Sequence, residues 1–313
     1  MIVGLDVGGT NARGMLIDPD SLSIVGQERA SSAGDGAVLV ETLRGLVERL
    51  VGDEQPTAVG LGVAGLAQRS GTVRYSPNLP DLIEYPLGPA LAEATGVPVA
   101  TLNDASAVAL AEARLGAGRG ADDFVSITLG TGIGAGVVVD GSLAQGAFGF
   151  AGEVGHMVVE VEGPTHHTGQ RGPWEYYASG SALGAQGRAA AAAGEFAAGG
   201  ALAGSVDAIT GFEVAEALRA GDDDAARIFD GFCRWVAVGC ANLVMIMDPQ
   251  RIVIGGGLSG IGQPLAGGVA SWMPEVTLGS AHRPPVEIRM AELGDEAGAL
   301  GAGLFALESL PAD

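Results

Sequence analysis

The residues of this chain that are best suited to chemistry are carboxylates beside glycine-rich turns. Asp6 lies near the end of an apolar run, Ile2–Val7, and Gly8 and Gly9 follow directly. Glycine has no Cβ, so the backbone N–H groups of such a turn can approach a phosphate closely. A carboxylate at the end of a buried strand is poorly solvated unless it faces a ligand site, where it could hold Mg²⁺ through water. This segment therefore predicts a phosphate site, although Gly-Gly-Thr is more often a plain hairpin turn.

A similar turn, Leu129–Gly134, follows a second apolar run, and the two turns together predict two lobes that hold one polyphosphate. A third glycine run, Gly255–Gly257, follows the predicted strand Arg251–Ile254. That run is consistent with backbone lying against a nucleotide, and a plain turn explains it nearly as well.

Polar residues also follow the predicted strand Val97–Leu102, where Asn103 and Asp104 precede a predicted helix. Ligands bind at the carboxyl ends of strands in α/β sheets, but one of this pair could simply cap the helix. Further along, Glu153, His156 and Glu175 supply carboxylates and one imidazole, which suit a polyhydroxylated ligand. Phosphoryl transfer to an alcohol needs a carboxylate near the attacking hydroxyl, metal-bound phosphates and phosphate donors. Asp104 is the candidate for the carboxylate near the hydroxyl, Asp6 for the metal ligand, and the two glycine turns for the phosphate donors.

A zinc site is the alternative for the histidines His156, His166 and His167. It is disfavoured because the sequence offers no thiolate and no obvious fourth ligand close by.

Composition excludes several classes of protein. The 313 residues carry a formal net charge of −21, and all 16 basic residues are arginine. The charge argues against nucleic acid or an anionic membrane as a partner, and the absence of lysine excludes the lysine-dependent P-loop NTPases. No apolar run reaches the ~20 residues that span a bilayer, and no signal peptide is evident. Cys233 and Cys240 lie in an apolar helical pattern typical of core packing, and we expect a soluble, cytoplasmic protein.

The predicted elements that must position these residues are those of an α/β protein. Strands alternate with helices, among them a helix at about 36–51 with one apolar face and later helices at 213–220, 223–247 and 296–308. The glycine cluster Gly116–Gly120 marks a boundary, after which the strand, glycine turn and strand pattern of the N-terminus begins again. The Ala/Gly-rich segment 189–204 is equally consistent with a linker and with a helix.

Taken together, these motifs resemble the ROK family of sugar kinases, most closely its bacterial ATP-dependent glucokinases. The likeness covers essentially the whole chain, and the order and spacing of the motifs make it specific. The segments that carry it are 4–11, 75–79, 102–105, 129–134, 152–156, 174–180, 254–257 and 293–298.

The resemblance implies an actin/hexokinase-like (ASKHA) α/β fold, with two ribonuclease H-like lobes around a central cleft. Residues 1–115 and a returning helix in 297–313 would form the small lobe, and residues 116–296 the large lobe. The implied activity is the ATP- and Mg²⁺-dependent phosphorylation of a hexose, foremost glucose, at its 6-hydroxyl. A cytoplasmic homodimer is the family expectation.

The resemblance also implies individual roles. Asp104 would be the catalytic base, and Asp6 would hold Mg²⁺ through water or phosphate. Residues Gly65, Asn78, Asn103, Asp104, Glu153, His156 and Glu175 would bind the sugar. The turns Gly8, Gly9, Thr10, Asn11, Gly130, Thr131 and Gly132 would face the ATP phosphates, with Gly255 and Gly256 near the adenosine.

One departure from the family pattern concerns zinc. Members usually carry Cys-x-Cys-Gly-x-x-Gly-Cys after the Gly-His pair, and the zinc held there braces the sugar-binding loop. Here the stretch 166–173 reads HHTGQRGP and contains no cysteine. We therefore predict a zinc-free loop that packs by other means, around Pro173 and Trp174. The rival hypotheses are a kinase for mannose, fructose or an N-acetylhexosamine, and a non-catalytic sugar-binding relative.

Overall fold

The first sheet of the molecule forms around the strand that opens the chain. In the computed structural model, which describes residues 1–197, 200–202 and 206–311, its strand order is β3-β2-β1-β4-β7. The strands β1, β2 and β3 form an antiparallel meander, and β4 and β7 extend the sheet in parallel from β1. The bounds are β1 Ile2–Val7, β2 Asn11–Ile17, β3 Ile24–Ser31, β4 Ala58–Val63 and β7 Val99–Asn103.

Helices cover both faces of this sheet because its central strands are apolar on both sides. Every residue of β4 is buried, whereas β3 alternates between half-buried and exposed positions, as expected for a central and an edge strand. The helices α1 Gly36–Val51 and α2 Leu87–Thr95 pack on one face. The helices α3 Asp104–Leu115 and α9 Ala297–Ser309 pack on the other. Two short strands, β5 Leu66–Ala67 and β6 Val73–Tyr75, form a separate hairpin.

The second sheet repeats the topology of the first. Its order is β10-β9-β8-β11-β12, with β11 parallel to both β8 and β12. The bounds are β8 Phe124–Leu129, β9 Ile133–Val139, β10 Ser142–Leu143, β11 Arg251–Gly255 and β12 Glu287–Met290. The repeat predicted from the two strand and glycine turn patterns is therefore confirmed.

Five further helices belong to the second half of the chain. They are α4 Glu175–Ala178, α5 Gly180–Ala192, α6 Gly211–Arg219, α7 Asp223–Met247 and α8 Gln263–Val276. Residues 189–192 of the undecided Ala/Gly-rich segment are thus helical, while 198–199 and 203–204 lie outside the described residues. Of the described helices, α7 alone is long and apolar enough to cross a membrane, and 61% of its most apolar window is buried, as in a core helix. Both cysteines are free and buried on α7.

The described residues form two compact units. Of these residues, unit 1 comprises 1–122, 136–152 and 292–311, and unit 2 comprises 123–135, 153–197, 200–202 and 206–291. The lobe boundaries expected from the sequence stay a prediction.

Helix α9 lies directly against the backbone of its neighbours in unit 1, because glycines occupy the points of closest approach. A Cβ added to Gly4 or Gly60 would overlap the carbonyl groups of Ala299 and Ala302 on α9, and one added to Gly301 would overlap the carbonyl of Ala107 on α3. No side chain fits in these places without moving α9 away from the sheet.

We therefore expect Gly301→Ala to lower the free energy of unfolding, although alanine is the better helix former. Overpacking of this kind costs about 1–3 kcal/mol or more, which outweighs a propensity gain of up to about 1 kcal/mol. The matched control is Gly231→Ala on α7, where nothing lies within 4 Å of an added Cβ. Urea unfolding should show the control to be neutral or more stable than the wild type. Equal effects of the two substitutions would contradict this packing argument.

Candidate functional site

Asp6 and Asp104, the two aspartates predicted to take part in phosphoryl transfer, lie together in unit 1. Asp6 is on β1 directly opposite Arg13 of β2, and the charge of Asp104 at the start of α3 acts on it. Burial and, second, the charge of Asp104 raise the pKa of Asp6 to about 6. Burial also raises the pKa of Asp104, opposed by the hydrogen bond that its Oδ1 accepts from the backbone N–H of Ala105 at 2.9 Å. Two partly buried carboxylates of like charge form a donor set that a hard divalent cation would stabilise, so these residues fit Mg²⁺.

Arg13 is the cation beside this pair. Its guanidinium donates to the backbone oxygen of Asp295, and its Nη2 lies 3.3 Å from Asp295 Oδ2. The positive charge of Arg13 favours the ionised form of Asp6. Asp295 thus holds the guanidinium of Arg13 in place, and the sequence analysis singled out neither residue of this pair for such a role.

Asn103 is the N-cap of α3, which settles the choice that the sequence left open. Its Oδ1 accepts from the N–H groups of Ala105 at 2.9 Å and Ser106 at 3.2 Å, and its Nδ2 donates to Gly65 O at 3.0 Å. An amide nitrogen has two donors, so one remains for a ligand acceptor. The cap also holds Asp104 as the first helical residue, where the helix dipole favours a carboxylate.

The first glycine turn contacts a segment predicted to bind sugar. A Cβ on Gly9 would lie 2.8 Å from Asn78 O, and both residues line a pocket of about 180 Å³ with Ser32. The turn itself is closed by Gly8 N–H donating to Asn11 O at 3.0 Å, and Asn11 already belongs to β2. Ser32 Oγ donates to Gly8 O, and Asn11 Nδ2 donates to Thr10 Oγ1.

In unit 2, Glu175 lies under the second glycine turn. The N–H of Ile133 donates to Glu175 Oε2 at 2.6 Å, and Gly132 has no room for a Cβ because the carboxylate occupies it. Glu175 Oε1 lies 3.2 Å from Nε2 of His166, whose Nδ1 lies 2.9 Å from Thr168 Oγ1. If the proton of His166 is on Nε2, that N–H donates to Glu175 Oε1, and the hydroxyl of Thr168 donates to Nδ1. Each of these atoms then has a hydrogen-bond partner.

Burial, with the neighbouring His167, lowers the pKa of His166, so the imidazole is neutral at neutral pH. A neutral His166 therefore positions the Glu175 carboxylate by a hydrogen bond. The ring of His156 lies edge-on to that of His166, 6.4 Å between centroids, and Glu153 O accepts from His156 N–H. The structure thus brings the three predicted sugar-binding residues of unit 2 into one region.

The loop that carries these groups is held by its own hydrogen bonds. A small hairpin pairs Thr165 with Arg171, and Gln170 Nε2 donates to His156 O at 2.6 Å. Trp174 is fully buried, and its Nε1 donates to Trp235 O at 2.8 Å while its indole covers Gly239. Packing of the loop around Trp174 agrees with the expectation from the sequence.

Ligand atoms of His166, His167 and Glu175 lie within 4.8 Å of one another, the spacing of a possible metal site. They do not reproduce the family's zinc ligands. Of the three positions that carry cysteine in the family, now His166, Thr168 and Pro173, only the first offers a ligand atom that zinc prefers.

A pocket of about 420 Å³ lies wholly within unit 2 and includes the second glycine turn. Gly130 and Thr131 line it, as does Gly257, which follows the predicted pair Gly255 and Gly256. Gly256 has φ +83°, and a Cβ there would lie 2.7 Å from the backbone of Leu129. Sequence reasoning missed the other walls, which come from α5 and the start of α6 and include Ser181, Arg188, Thr210 and Phe212. No motif marks these residues.

Comparison with known proteins identifies the family. The model of the ROK family matches residues 2–309. The chain belongs to the ROK family. It is 35% identical over 312 residues to a glucokinase of Thermotoga maritima, covering 99% of this chain and 98% of that protein. It is 34% identical over 310 residues to an N-acetylmannosamine kinase of Citrobacter koseri, covering 97% and 98%.

A solved structure agrees with this assignment. The crystal structure of a ROK family glucokinase from Streptomyces griseus in complex with glucose and AMPPNP matches with a TM-score of 0.85 and 34% identity. The match covers 98% of this chain and 99% of the other. The actin/hexokinase-like (ASKHA) fold class implied by the sequence is therefore confirmed for this ROK chain.

The raised pKa of Asp6 predicts a pH-dependent gain in stability for Asp6→Asn. The folded protein holds the Asp6 proton more tightly than the unfolded chain, whose aspartates have a pKa near 3.9. Ionised Asp6 therefore costs folding free energy above pH 6, up to about 3 kcal/mol, and the cost disappears as the pH falls to about 4. Urea unfolding of metal-free protein should show the variant more stable than wild type at pH 8 and equal to it at pH 4.

The control for this experiment is Asp53→Asn, which removes an exposed carboxylate from a loop. It should leave stability unchanged at both pH values. A gain for Asp6→Asn that is the same at pH 4 and pH 8 would mean that ionisation is not its cause.

Proposed function

We propose that this ROK chain is an ATP-dependent kinase that phosphorylates a hexose at the 6-hydroxyl, with glucose as the substrate. The observation that carries the proposal is the partly buried Asp104 at the start of α3, with a raised pKa and with Asp6 beside it. A base whose pKa is raised toward the working pH accepts a proton more effectively than an exposed aspartate does. The names of the glucokinase relatives support the choice of sugar.

In the proposed reaction, Asp104 accepts the proton of the 6-hydroxyl as that oxygen bonds to the γ-phosphorus of ATP. The bond between the γ-phosphorus and the β,γ-bridging oxygen breaks, which gives ADP and the hexose 6-phosphate. Mg²⁺, held by Asp6 through water or phosphate, would neutralise charge on the phosphates. The turns Gly8–Asn11 and Gly130–Gly132 would supply N–H donors to the phosphates.

Sugar hydroxyls would bind the residues whose remaining hydrogen-bonding capacity suits them. Glu175 accepts one protein bond on each oxygen, and each carboxylate oxygen has a second acceptor position. Asn103 retains one N–H donor, and Gly65, Asn78, Glu153 and His156 complete the proposed set. Closure that excludes water would align the hydroxyl with the phosphate.

A second candidate substrate is an N-acetylhexosamine, mannose or fructose. The relative named as an N-acetylmannosamine kinase covers 97% of this chain at almost the same identity as the glucokinases, which favours keeping this candidate. A non-catalytic sugar-binding relative is the third. That the protein is cytoplasmic and a homodimer stays a prediction from the family resemblance.

The test is ADP release across a panel of glucose, mannose, fructose, N-acetylglucosamine and N-acetylmannosamine. We expect the highest kcat/KM with glucose. Asp104→Asn should lower kcat by about 10²–10⁴, the usual range for loss of a general base, and leave the sugar KM within a few-fold. Asp53→Asn is the matched control and should behave as wild type.

Full turnover by Asp104→Asn would contradict the role of Asp104. If a sugar other than glucose gave the highest kcat/KM, the proposed substrate would be wrong, but the proposed kinase activity would stand. Calorimetry that shows sugar binding without any phosphate transfer would favour the non-catalytic alternative.

We also propose that the sugar-binding loop needs no zinc, because hydrogen bonds and the buried Trp174 support it. Protein purified without added metal should contain well under one zinc per chain by mass spectrometry of the metals. Treatment with EDTA should leave its melting temperature unchanged. One zinc per chain that survives dialysis, and whose removal lowers the melting temperature, would overturn this proposal.

A further inference from the structure

Glu112 is a fully buried carboxylate that the proposed reaction does not use. It lies on α3, further along the helix that begins with Asp104. A buried carboxylate is costly unless hydrogen-bond donors satisfy it. Here the donors are backbone N–H groups of Ala117 at 2.7 Å from Oε2, Glu292 at 3.0 Å from Oε1 and Leu293 at 2.9 Å from Oε1. Glu112 therefore fixes the backbone of the segment that leads into α9.

The segment that Glu112 fixes continues directly to Asp295, two residues beyond Leu293. Leu293 packs in the same core cluster as Met15 of β2, and Gly294–Glu296 form a single 3₁₀ turn before α9. Hydrogen bonds from N–H groups to a carboxylate are about twice as strong as those between neutral groups. The position of the Asp295 backbone thus depends on the buried carboxylate of Glu112.

Asp295 in turn holds the guanidinium of Arg13. Nη1 of Arg13 donates to the backbone oxygen of Asp295, and its Nη2 lies 3.3 Å from Asp295 Oδ2. The side chain of Asp295 is 90% exposed, whereas that of Arg13 is only 16% exposed. The more protected of the two acceptors is therefore the backbone oxygen, and its position is set by the segment that Glu112 fixes.

This arrangement keeps Arg13 away from the carboxylate of Asp6. The two residues are directly opposite each other on β2 and β1, where opposite charges normally pair. In the part of the chain that the structure describes, no ion pair joins them, because the guanidinium is turned to Asp295. The carboxylate of Asp6 therefore keeps its acceptor positions for a hydrated cation.

We propose that Glu112 is a positioning residue for the magnesium site, because it holds the segment that keeps Arg13 on Asp295 and so leaves the Asp6 carboxylate open. This inference rests on the proposed function and deepens it by adding a residue that acts on the metal ligand through others. If the segment moved, Arg13 would turn to the carboxylate opposite it, and that ion pair would compete with Mg²⁺. Residues that orient a metal ligand without touching the metal typically change metal affinity by about 10–100-fold.

The first test is the kinetics of Glu112→Gln at pH 8, with Mg²⁺ varied at saturating ATP and sugar. The amide places an N–H donor against backbone N–H groups, so it should release the segment 292–295. The KM for Mg²⁺ should rise about ten-fold or more, and the sugar KM should stay within a few-fold. Asp295→Ala should raise the KM for Mg²⁺ by a smaller factor, because the backbone oxygen of residue 295 remains.

A second substitution separates positioning from general damage to the fold. Adding Arg13→Gln to Glu112→Gln removes the competing guanidinium, so the KM for Mg²⁺ should return to within a few-fold of the wild-type value. A purely structural loss would not be reversed in this way. The matched control is Glu93→Gln, which removes an exposed carboxylate from α2 and should behave as the wild type.

Stability supplies a readout that needs no kinase activity. Urea unfolding of metal-free protein at pH 8 gives the effect of Asp6→Asn in the wild type and in Glu112→Gln. The gain expected in the wild type should vanish in Glu112→Gln, because Arg13 then pairs with ionised Asp6. Asp295→Ala, which alters a surface side chain, serves for the same comparison if Glu112→Gln does not fold. A gain as large as in the wild type, or no rescue by Arg13→Gln, would overturn the inference.

The two proposals fail in different ways. If the wild type phosphorylates no sugar and the gain from Asp6→Asn still vanishes in Glu112→Gln, the proposed function fails and the positioning role of Glu112 stands. If the wild type phosphorylates a hexose and Glu112→Gln leaves the KM for Mg²⁺ unchanged, the kinase stands and the inference about Glu112 fails.

Discussion

The fold of unit 1 depends on places where the backbone of one element packs directly against the backbone of another, with no side chain between them. In unit 1, helix α9 meets strands β1 and β4 at Gly4 and Gly60, and it meets α3 at Gly301. This close approach also brings Gly298, near the start of α9, against the carboxylate of Asp6. The constraint explains why a chain with 53 glycines still folds into ordinary sheets and helices. Much of its glycine lies at points of contact, where the loss of a side chain is compensated by dense packing.

This close backbone packing also holds the carboxylates of Asp6 and Asp104 in positions where their ionised forms cost folding free energy. Asp6 and Asp104 are partly buried and repel one another, and the structure stabilises their ionised forms only in part, through Arg13 and the N–H groups at the start of α3. Rigid packing of α9 and α3 prevents the site from relaxing into a more stable arrangement. Strain of this kind is typical of functional sites, where charge is held ready for a cation or a substrate.

Some elements around the site could be predicted from the sequence, and others could not. The periodicity of α1 and α7 gave their bounds correctly, and the turn after β1 was recognised because a buried strand, an acid and two glycines rarely occur together without reason. The end of helix α5, at residues 189–192, was not predicted, because the Ala/Gly-rich segment 189–204 was equally consistent with a helix and with a linker. Arg188 and Phe212 were missed for a different reason. Their place in the pocket lining depends on the packing of Gly184 on α5 against Gly211 at the start of α6, which no local pattern encodes.

The loop around Glu175 is held by hydrogen bonds and by one buried side chain. A structural metal fixes several ligands at once and stabilises a loop strongly. In this chain a small hairpin, one glutamine and a buried tryptophan restrict the loop, each by a modest amount, and we propose that they replace such a metal. The orientation of Glu175 then depends on a neutral His166 and on the N–H of Ile133, two contacts of fixed direction. Because these contacts occupy one acceptor position on each oxygen, the remaining acceptor positions have defined directions. In the proposed function, these directions would select among sugar epimers.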